Sequence, residues 1–324
     1  MLSFIRSKIK GLILVSIIVL IAKIFSVYLY ISSITITILI GVLYNYLYPL
    51  NDSFKEGINF SEKHFLSIAI ILMGANIDVS ILDTNISKNI YLVIIIILVG
   101  LCSSFILGKL FKLSNALSFL IGIGNGVCGS SAIVSTSSII KPKKEDIILS
   151  VSIINLLGAI SIFLIPTVIN FCYKGDIINQ GIIIGSTIQA IGQVTAAGFM
   201  MSNEIGEIAV FIKMIRILML VPILLFLALF FSIYDYKITK NISFSFPYFI
   251  IGFLFILVAR NYDLIPLFIL PVIAIVSKYT LLFAVVGIGL TIPLESIFSK
   301  GLKVFLVGLI SFSLQIAVCI YLLS

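Results

Sequence analysis

The stretch Gly124-Asn-Gly-Val-Cys-Gly-Ser-Ser-Ala-Ile133 lies inside a long hydrophobic run that covers residues 113–140. Glycine, asparagine and serine at this density disturb a lipid-facing helix, because backbone groups in hydrocarbon must find partners within the protein. A second run, residues 181–201, holds the similar stretch Gly185-Ser-Thr-Ile-Gln-Ala-Ile-Gly-Gln-Val-Thr-Ala-Ala-Gly198. We therefore predict that each run contains an interrupted helix, surrounded by protein or by an aqueous cavity.

The composition of the whole chain is that of an integral membrane protein. Of its 324 residues, 61% are hydrophobic and 10% are charged, whereas about a quarter of the residues in a soluble domain are charged. A soluble globular protein is therefore excluded. The net charge of +8 comes from Lys and Arg residues scattered in twos and threes. This pattern indicates cytoplasmic loops rather than a nucleic-acid partner.

Eleven hydrophobic segments predict an all-α polytopic membrane protein with about 9–11 transmembrane segments. The segments are 11–30, 31–50, 64–78, 90–109, 113–140, 147–172, 181–201, 205–231, 246–259, 279–294 and 302–323. The distribution of Lys and Arg favours a cytoplasmic N-terminus and nine crossings, with the two glycine-rich segments re-entering on opposite faces. This topology places Lys141, Lys143 and Lys144 in the cytoplasm. Broken helices that cross the membrane remain the alternative.

An internal repeat suggests inverted halves within a single transporter domain that covers residues 1–324. The repeat pairs Lys63-His-Phe-Leu, Gly74 and Ile77-x-Val79-x-x-Leu82 with Lys278-Tyr-Thr-Leu, Gly289 and Ile292-x-Leu294-x-x-Ile297, at a constant offset of 215. We therefore expect residues 31–111 and 245–324 to be related by an inverted repeat, which is a feature of many secondary transporters.

Polar residues in the two interrupted segments are candidates for substrate binding. The freed N-terminus of a half-helix presents unpaired N–H groups and the positive end of the helix dipole, and both favour an anion. The candidates are Asn125, Cys128, Gly129, Ser130 and Ser131 in the first segment, and Ser186, Thr187, Gln189 and Gln193 in the second. For Gly122 and Gly198 we expect close helix packing instead.

Two positively charged residues occur in the middle of the apolar segment 205–231. Lys213 and Arg216 share one helix face, about 12 and 16 Å from the start of the segment. The Asp and Glu residues lie at segment ends or in loops. A negatively charged substrate, or the carbonyl ends of the broken helices, must therefore neutralise the pair. We expect both residues to belong to the substrate site.

These motifs, together with Lys-Lys-Glu-Asp146 and the series Glu207, Lys213-x-x-Arg216 and Pro222, resemble the bacterial YeiH-type (UPF0324) membrane proteins, which are named as sulfate exporters. The resemblance covers nearly the whole chain. It implies a bacterial plasma-membrane protein with a fold similar to the bile-acid and cation/proton transporters. It also implies a sulfur oxyanion or a small sulfonate as substrate. The positions that match the family are Cys128, Gly129, Ser131, Gln193, Lys213 and Arg216.

Two departures from the family pattern bear on coupling. Where the family often has His-Glu, this chain has Gln189-Ala190, and Ser130 replaces the usual second glycine after Cys-Gly. Because the titratable His-Glu pair is missing, proton coupling in relatives does not carry over directly to this chain. We expect no cofactor, and the sequence leaves open whether Na⁺ or H⁺ is the coupling ion.

The sequence as a whole predicts a secondary transporter of a small anion in the lipid bilayer. An enzyme is not expected, because the single His is peripheral and no carboxylate lies at depth. Two other functions remain open, a sodium-coupled carrier of an organic anion and a channel-like or structural membrane protein. The sequence also leaves open the direction of transport and whether the protein forms a homodimer.

Overall fold

The computed structural model describes residues 2–29, 33–48, 50–76, 86–172, 176–234, 248–291 and 301–324. Within these residues the chain is α-helical and contains no β-strand, as the sequence predicts. The helices are α1 Leu2–Leu29, α2 Ser33–Leu47, α3 Asp52–Phe60, α4 Leu66–Met73, α5 Ile86–Leu110, α6 Asn115–Gly126, α7 Ser130–Ile140, α8 Lys144–Cys172, α9 Ile177–Thr187, α10 Ile191–Met201, α11 Asn203–Leu218, α12 Leu220–Tyr234, α13 Tyr248–Asn261, α14 Leu270–Thr291 and α15 Leu302–Leu323. A π-helical turn, Ser61–Phe65, joins α3 to α4.

Six of the described helical stretches are long and apolar enough to cross a membrane. They are Lys8–Ser26, Ser87–Leu110, Lys144–Phe171, Asn203–Leu227, Leu270–Thr291 and Leu302–Leu323. Large apolar side chains such as Leu20, Phe171 and Phe255 are exposed, which suits contact with lipid. The all-α polytopic fold is thereby confirmed. The number of crossings and the re-entrant course of the glycine-rich segments stay predictions.

The chain divides into two compact units that are interleaved in sequence. The first unit comprises Met1–Thr84, Phe199–Ser202 and Pro247–Leu294, and the second comprises Asn85–Gly198, Asn203–Phe246 and Glu295–Ser324. Each predicted repeat contributes its earlier helices to the first unit and its last helix, α5 or α15, to the second. The repeat positions 77–82 and 292–297 lie outside the described residues. The inverted repeat and the single transporter domain therefore stay predictions.

In the first unit, small residues allow helix backbones to approach closely. A Cβ atom added to Gly41 on α2 would lie only 3.1 Å from the Cα atom of Gly289 on α14. Serine hydroxyls add hydrogen bonds between neighbouring helices, since Ser277 on α14 donates to the carbonyl oxygen of Ala69 on α4 at 3.1 Å. Packing through small residues and interhelical hydrogen bonds is typical of helices in lipid.

The second unit contains both glycine-rich segments except for residues 199–201, and each segment forms two helices separated by a break. The first segment forms α6 and α7 with a break at residues 127–129, and the second forms α9 and α10 with a break at residues 188–190. Lys213 and Arg216 lie on α11. The prediction of two interrupted helices is therefore confirmed.

The glycines assigned to packing lie at close helix contacts, as expected. A Cβ atom added to Gly122 on α6 would lie 3.0 Å from the Cα atom of Leu101 on α5. One added to Gly198 on α10 would lie 2.8 Å from the Cα atom of Gly206 on α11. These contacts hold the half-helices against full-length neighbours in the second unit.

Candidate functional site

The first break is a short turn whose last residue must be glycine. Gly129 has φ +70° and ψ −132°, a conformation that residues with a Cβ atom rarely adopt. The N–H groups of Val127 and Gly129 donate to the carbonyl oxygens of Ile123 and Gly124, both at 3.0 Å. The carbonyl groups of residues 125–127, which end α6, therefore need donors from elsewhere in the protein.

Lys213 and Arg216 supply those donors. The ammonium nitrogen Nζ of Lys213 donates to the carbonyl oxygen of Val127 at 2.6 Å. Arg216 donates from Nε to the carbonyl oxygen of Gly126 at 2.6 Å, and from Nη2 to that of Asn125. Two side chains of α11 thus bind all three remaining carbonyl groups at the end of α6.

The same two side chains also bind the end of α9 at the second break. Nζ of Lys213 and Nη1 of Arg216 both donate to the carbonyl oxygen of Ile188, at 2.7 and 2.9 Å. Ile188 is the C-cap residue of α9, where the negative end of the helix dipole lies. The two cations therefore neutralise the C-terminal ends of both half-helices.

Both cations are completely buried, with 0% of either side chain exposed. In the part of the chain that the structure describes, neither Lys213 nor Arg216 forms an ion pair with a carboxylate. The sequence left two neutralising groups open, a substrate anion or the carbonyl ends of the broken helices. In the structure the carbonyl ends accept these hydrogen bonds, so both residues hold the two breaks together.

The two breaks lie next to each other. A Cβ atom added to Gly129 would be 3.7 Å from the backbone nitrogen of Ala190 and 3.7 Å from the Cβ atom of Gln189. The side-chain nitrogen Nε2 of Gln189 donates to Oδ1 of Asn125 at 3.1 Å. Nδ2 of Asn125 in turn donates to the carbonyl oxygen of Gly308 on α15 at 3.0 Å. Buried amide side chains therefore link the breaks to a third helix.

The N-terminal ends of α7 and α10 are the accessible part of this meeting point. Ser131 in the first turn of α7 is exposed, and Ser130 and Ala190 are half-buried. The N-cap residue of α7 is Gly129, which has no side chain to cap the helix. At the start of α10, Oε1 of Gln193 accepts a hydrogen bond from the N–H of Ala190 at 3.0 Å. First-turn N–H groups lack partners within their helix and carry the positive end of its dipole. Lys213 and Arg216 bind the carbonyl ends at the breaks, whereas the amide ends are only partly capped, by Gln193 at Ala190 and by the sulfur of Cys128 at Ala132.

Three of the predicted hydroxyl groups, those of Ser131, Ser186 and Thr187, lie beside the breaks and are already hydrogen-bonded within the protein. The hydroxyl of Ser131 donates to the sulfur of Cys128 at 2.9 Å. Ser186 and Thr187 both donate to carbonyl oxygens one turn earlier in α9, at 2.6 Å. Each of these three hydroxyls therefore already uses its single proton inside the protein.

One polar face of α15 also borders the site, and the sequence analysis missed it. Gly308, Ser311, Gln315 and Cys319 are buried and recur at intervals of three or four residues, which places them on one helix face. Gln315 is 0% exposed, yet neither polar atom of its side-chain amide has a hydrogen-bond partner among the residues that the structure describes. The regular spacing of small and polar residues in an otherwise apolar helix is the signal that identifies this face.

The sequence matches a known family model, described as Conserved hypothetical protein 698, over residues 10–308. The chain belongs to this family. Its relatives include UPF0324 membrane proteins from several bacteria. The one from Clostridium perfringens is 29% identical over 292 residues, which cover 86% of this chain and 84% of the relative. The one from Brucella melitensis is 31% identical over 290 residues (90% and 80%), and the one from Staphylococcus epidermidis is 31% identical over 277 residues (86% and 83%).

Membership in the UPF0324 family confirms the resemblance inferred from the motifs. The relatives are named membrane proteins, and six helices of this chain are long and apolar enough to cross a membrane. This UPF0324 chain is therefore a multi-pass membrane protein. Both breaks and the Lys213–Arg216 pair fall inside the matched range, so the candidate site belongs to the part of the chain that defines the family.

Proposed function

We propose that this UPF0324 protein is a secondary transporter of a small anion, which binds at the N-terminal ends of α7 and α10. One observation supports the proposal above all. The amide ends of α7 and α10 lie side by side at the Gly129–Ala190 contact. The buried side chains of Lys213 and Arg216 bind the carbonyl ends of α6 and α9, the other two half-helices. Helix N-termini arranged in this way are favourable sites for anions.

The charge balance of the site also favours an anion. Each half-helix end carries about half an elementary charge, so the two amide ends and the two carbonyl ends offset each other. The remaining charge is that of Lys213 and Arg216, which form no ion pair with a carboxylate among the described residues. A bound anion would lower the cost of holding this excess charge in a medium of low dielectric constant.

The substrate class that we propose is a sulfur oxyanion or a small sulfonate, which is carried over from the resemblance to proteins named as sulfate exporters. Such anions present several acceptor oxygens, and this suits N–H donors that come from two neighbouring helix ends. We place the protein in the bacterial cell membrane with a cytoplasmic N-terminus. The proposal involves no catalytic step and no cofactor.

The experiment measures uptake of labelled sulfate, sulfite and a small sulfonate into proteoliposomes that contain the purified protein. The test variant is Ser131→Asp, and its matched control is the neutral Ser131→Asn. An acidic residue in the first turn stabilises a helix by about 0.3–1 kcal/mol, so Ser131→Asp is expected to fold at least as well as the parent protein. Because its carboxylate repels an anion at the same place, we expect flux to fall at least about tenfold.

Ser131→Asn is expected to keep most of the flux, which separates charge from side-chain size. Undiminished flux in a folded Ser131→Asp variant would contradict the proposed anion site. Absence of flux for all the anions tested with the folded parent protein would contradict the transporter. Saturation of flux with substrate concentration distinguishes a carrier from a channel-like protein.

A further inference from the structure

We infer that Lys213 and Arg216 occupy a cation-binding cradle formed by backbone carbonyl oxygens, where they take the place of a mobile coupling cation. The carbonyl cradle consists of the carbonyl oxygens of Asn125, Gly126, Val127 and Ile188. The cradle itself follows from the contacts described above. Its consequence for transport, that flux does not require Na⁺, rests on the proposed function.

The contacts in the carbonyl cradle are those of a well-formed cation site. Its oxygens come from both breaks, and they accept hydrogen bonds only from the ammonium of Lys213 and the guanidinium of Arg216 among the bonds described here. The ammonium lies 2.6 and 2.7 Å from its two oxygens. Hydrogen bonds to an ionised donor are shorter and about twice as strong as neutral ones.

The chemistry of the carbonyl cradle is suited to a small cation. Unwound backbone carbonyls and the C-terminal ends of half-helices are the groups with which transporters that have broken helices bind Na⁺ or H⁺. In this chain two side chains already fill that position. A further Na⁺ would meet two buried positive charges at short range, and no carboxylate among the described residues pairs with them to offset the repulsion.

Lys213 and Arg216 lie on α11, and α11 cannot move away from α9 and the second break without losing close packing. A Cβ atom added to Gly185 on α9 would lie 2.5 Å from the carbonyl oxygen of Ala209 on α11, and 2.8 Å from the Cβ atom of Ile212. This close packing fixes Lys213 and Arg216 against the end of α9. A tethered side chain of this kind cannot be exchanged with the solution, so the carbonyl cradle cannot serve as a binding site for a mobile coupling Na⁺.

The test is chemical rescue of truncated variants of the full-length protein. Lys213→Ala removes the equivalent of propylammonium, and Arg216→Ala removes the equivalent of ethylguanidinium. Thermal unfolding of each purified variant is measured in propylammonium, ethylguanidinium, Na⁺ or tetramethylammonium chloride. Tetramethylammonium carries the same charge but has no N–H donor, and Lys303→Ala, which removes an exposed lysine of α15, is the matched control variant.

We expect propylammonium to raise the Tm of Lys213→Ala, and ethylguanidinium to raise that of Arg216→Ala, by several degrees with saturation. Binding to the native state alone produces such a shift. The parent protein and Lys303→Ala are expected to show no such rise, and tetramethylammonium is expected to have no effect on any of the proteins. If Lys213→Ala folds only when propylammonium is present during purification, the inference is supported.

Two results would overturn the inference. The first is a variant that folds without any amine and responds to none of them. The second is failure of Lys213→Ala to fold even with propylammonium, while Lys213→Met, which keeps the side-chain volume without the charge, folds normally. The thermal readout uses no transported anion, so it stays informative if the proposed function fails. For the parent protein, a Na⁺-dependent rise in anion flux would refute only the inference on coupling.

Discussion

The side-chain nitrogen of Gln189 donates a 3.1 Å hydrogen bond to the side-chain oxygen of Asn125, and this bond links the two breaks. The orientation of both amides follows from one backbone group. Because the carbonyl oxygen of Gly308 can only accept, Asn125 must present Nδ2 to it and Oδ1 to Gln189. Gln189 must then donate from Nε2, and its buried Oε1 finds no donor within the described part of the chain.

The first prediction concerns the coupling between these two amides. We expect the destabilisations caused by Asn125→Ala and Gln189→Ala to be non-additive, with a coupling energy of about 0.6–1.7 kcal/mol, as found for interhelical hydrogen bonds in membranes. The measurement is a double-mutant cycle by thermal or denaturant unfolding in detergent. The control cycle combines Gln189→Ala with Ser61→Ala. The hydroxyl of Ser61 bonds to the carbonyl oxygen of Phe283, and both residues belong to the first unit, whereas Gln189 belongs to the second. The control cycle should be additive, and additivity in the test cycle would show that the bond contributes nothing.

The second prediction concerns the backbone of the first break. Gly129→Ala is expected to destabilise the protein by about 1–3 kcal/mol, because an alanine cannot relax at φ +70° and ψ −132°. Steric crowding is not the cause, since the nearest atoms would lie at an ordinary distance of 3.7 Å. Gly301→Ala is the control, because Gly301 has φ −153° and only the flexible terminal methyl of Ile153 lies close. Equal Tm losses for the two variants would show that the strain at the break has been misjudged.

The third prediction concerns the buried amide of Gln315. An unpartnered buried polar group costs about 1–3 kcal/mol, so Gln315→Leu is expected to raise the Tm of the protein. A costly group of this kind beside a candidate site is typical of a functional residue, and we therefore expect anion flux to fall in the same variant. Ser311→Ala is the contrasting variant on the same face. It removes the hydroxyl that accepts a hydrogen bond from Ser104, so it should lower the Tm. A lower Tm for Gln315→Leu would indicate that ordered water satisfies the amide.

The fourth prediction concerns the carboxyl group of Glu62, which lies in the first unit outside the predicted transmembrane segments. Partial burial raises the pKa of Glu62 above its ordinary value of 4.5, although a hydrogen bond from Thr291 and the charge of Lys63 oppose the rise. The native state therefore holds this proton more tightly than the unfolded state does. The stabilisation is complete below pH 4.5 and is lost as the pH rises through the raised pKa.

Glu62→Gln should therefore be more stable than the parent protein at neutral pH, and this advantage should disappear on acidification. The measurement is the difference in Tm between the two proteins as a function of pH. Glu56→Gln, at an exposed position of α3, is the matched control for the loss of a carboxylate. A constant difference across the pH range would mean that the carboxyl of Glu62 titrates normally.

Much of the architecture was predictable because it depends on local chemistry. Glycine and serine concentrated within a hydrophobic run cannot form a lipid-facing helix, so the breaks near residues 127–129 and 188–190 were expected, and the structure has them there. The importance of Lys213 and Arg216 was also predictable, because charges in the middle of an apolar helix are costly. The polar face of α15 was visible only as a spacing pattern, and nothing near it in sequence indicated which helices it would contact.

The sequence by itself determined the class of protein, the interrupted segments and the two buried cations, because each depends on the composition of a short stretch of chain. Only the tertiary structure decided what the cations bind. The carbonyl oxygens that meet Lys213 and Arg216 belong to residues 25 to 91 positions earlier in the chain. Backbone carbonyls occur at every position, so no residue type marks the ones that two breaks leave unbonded. The packing of α6, α9 and α11 selects them.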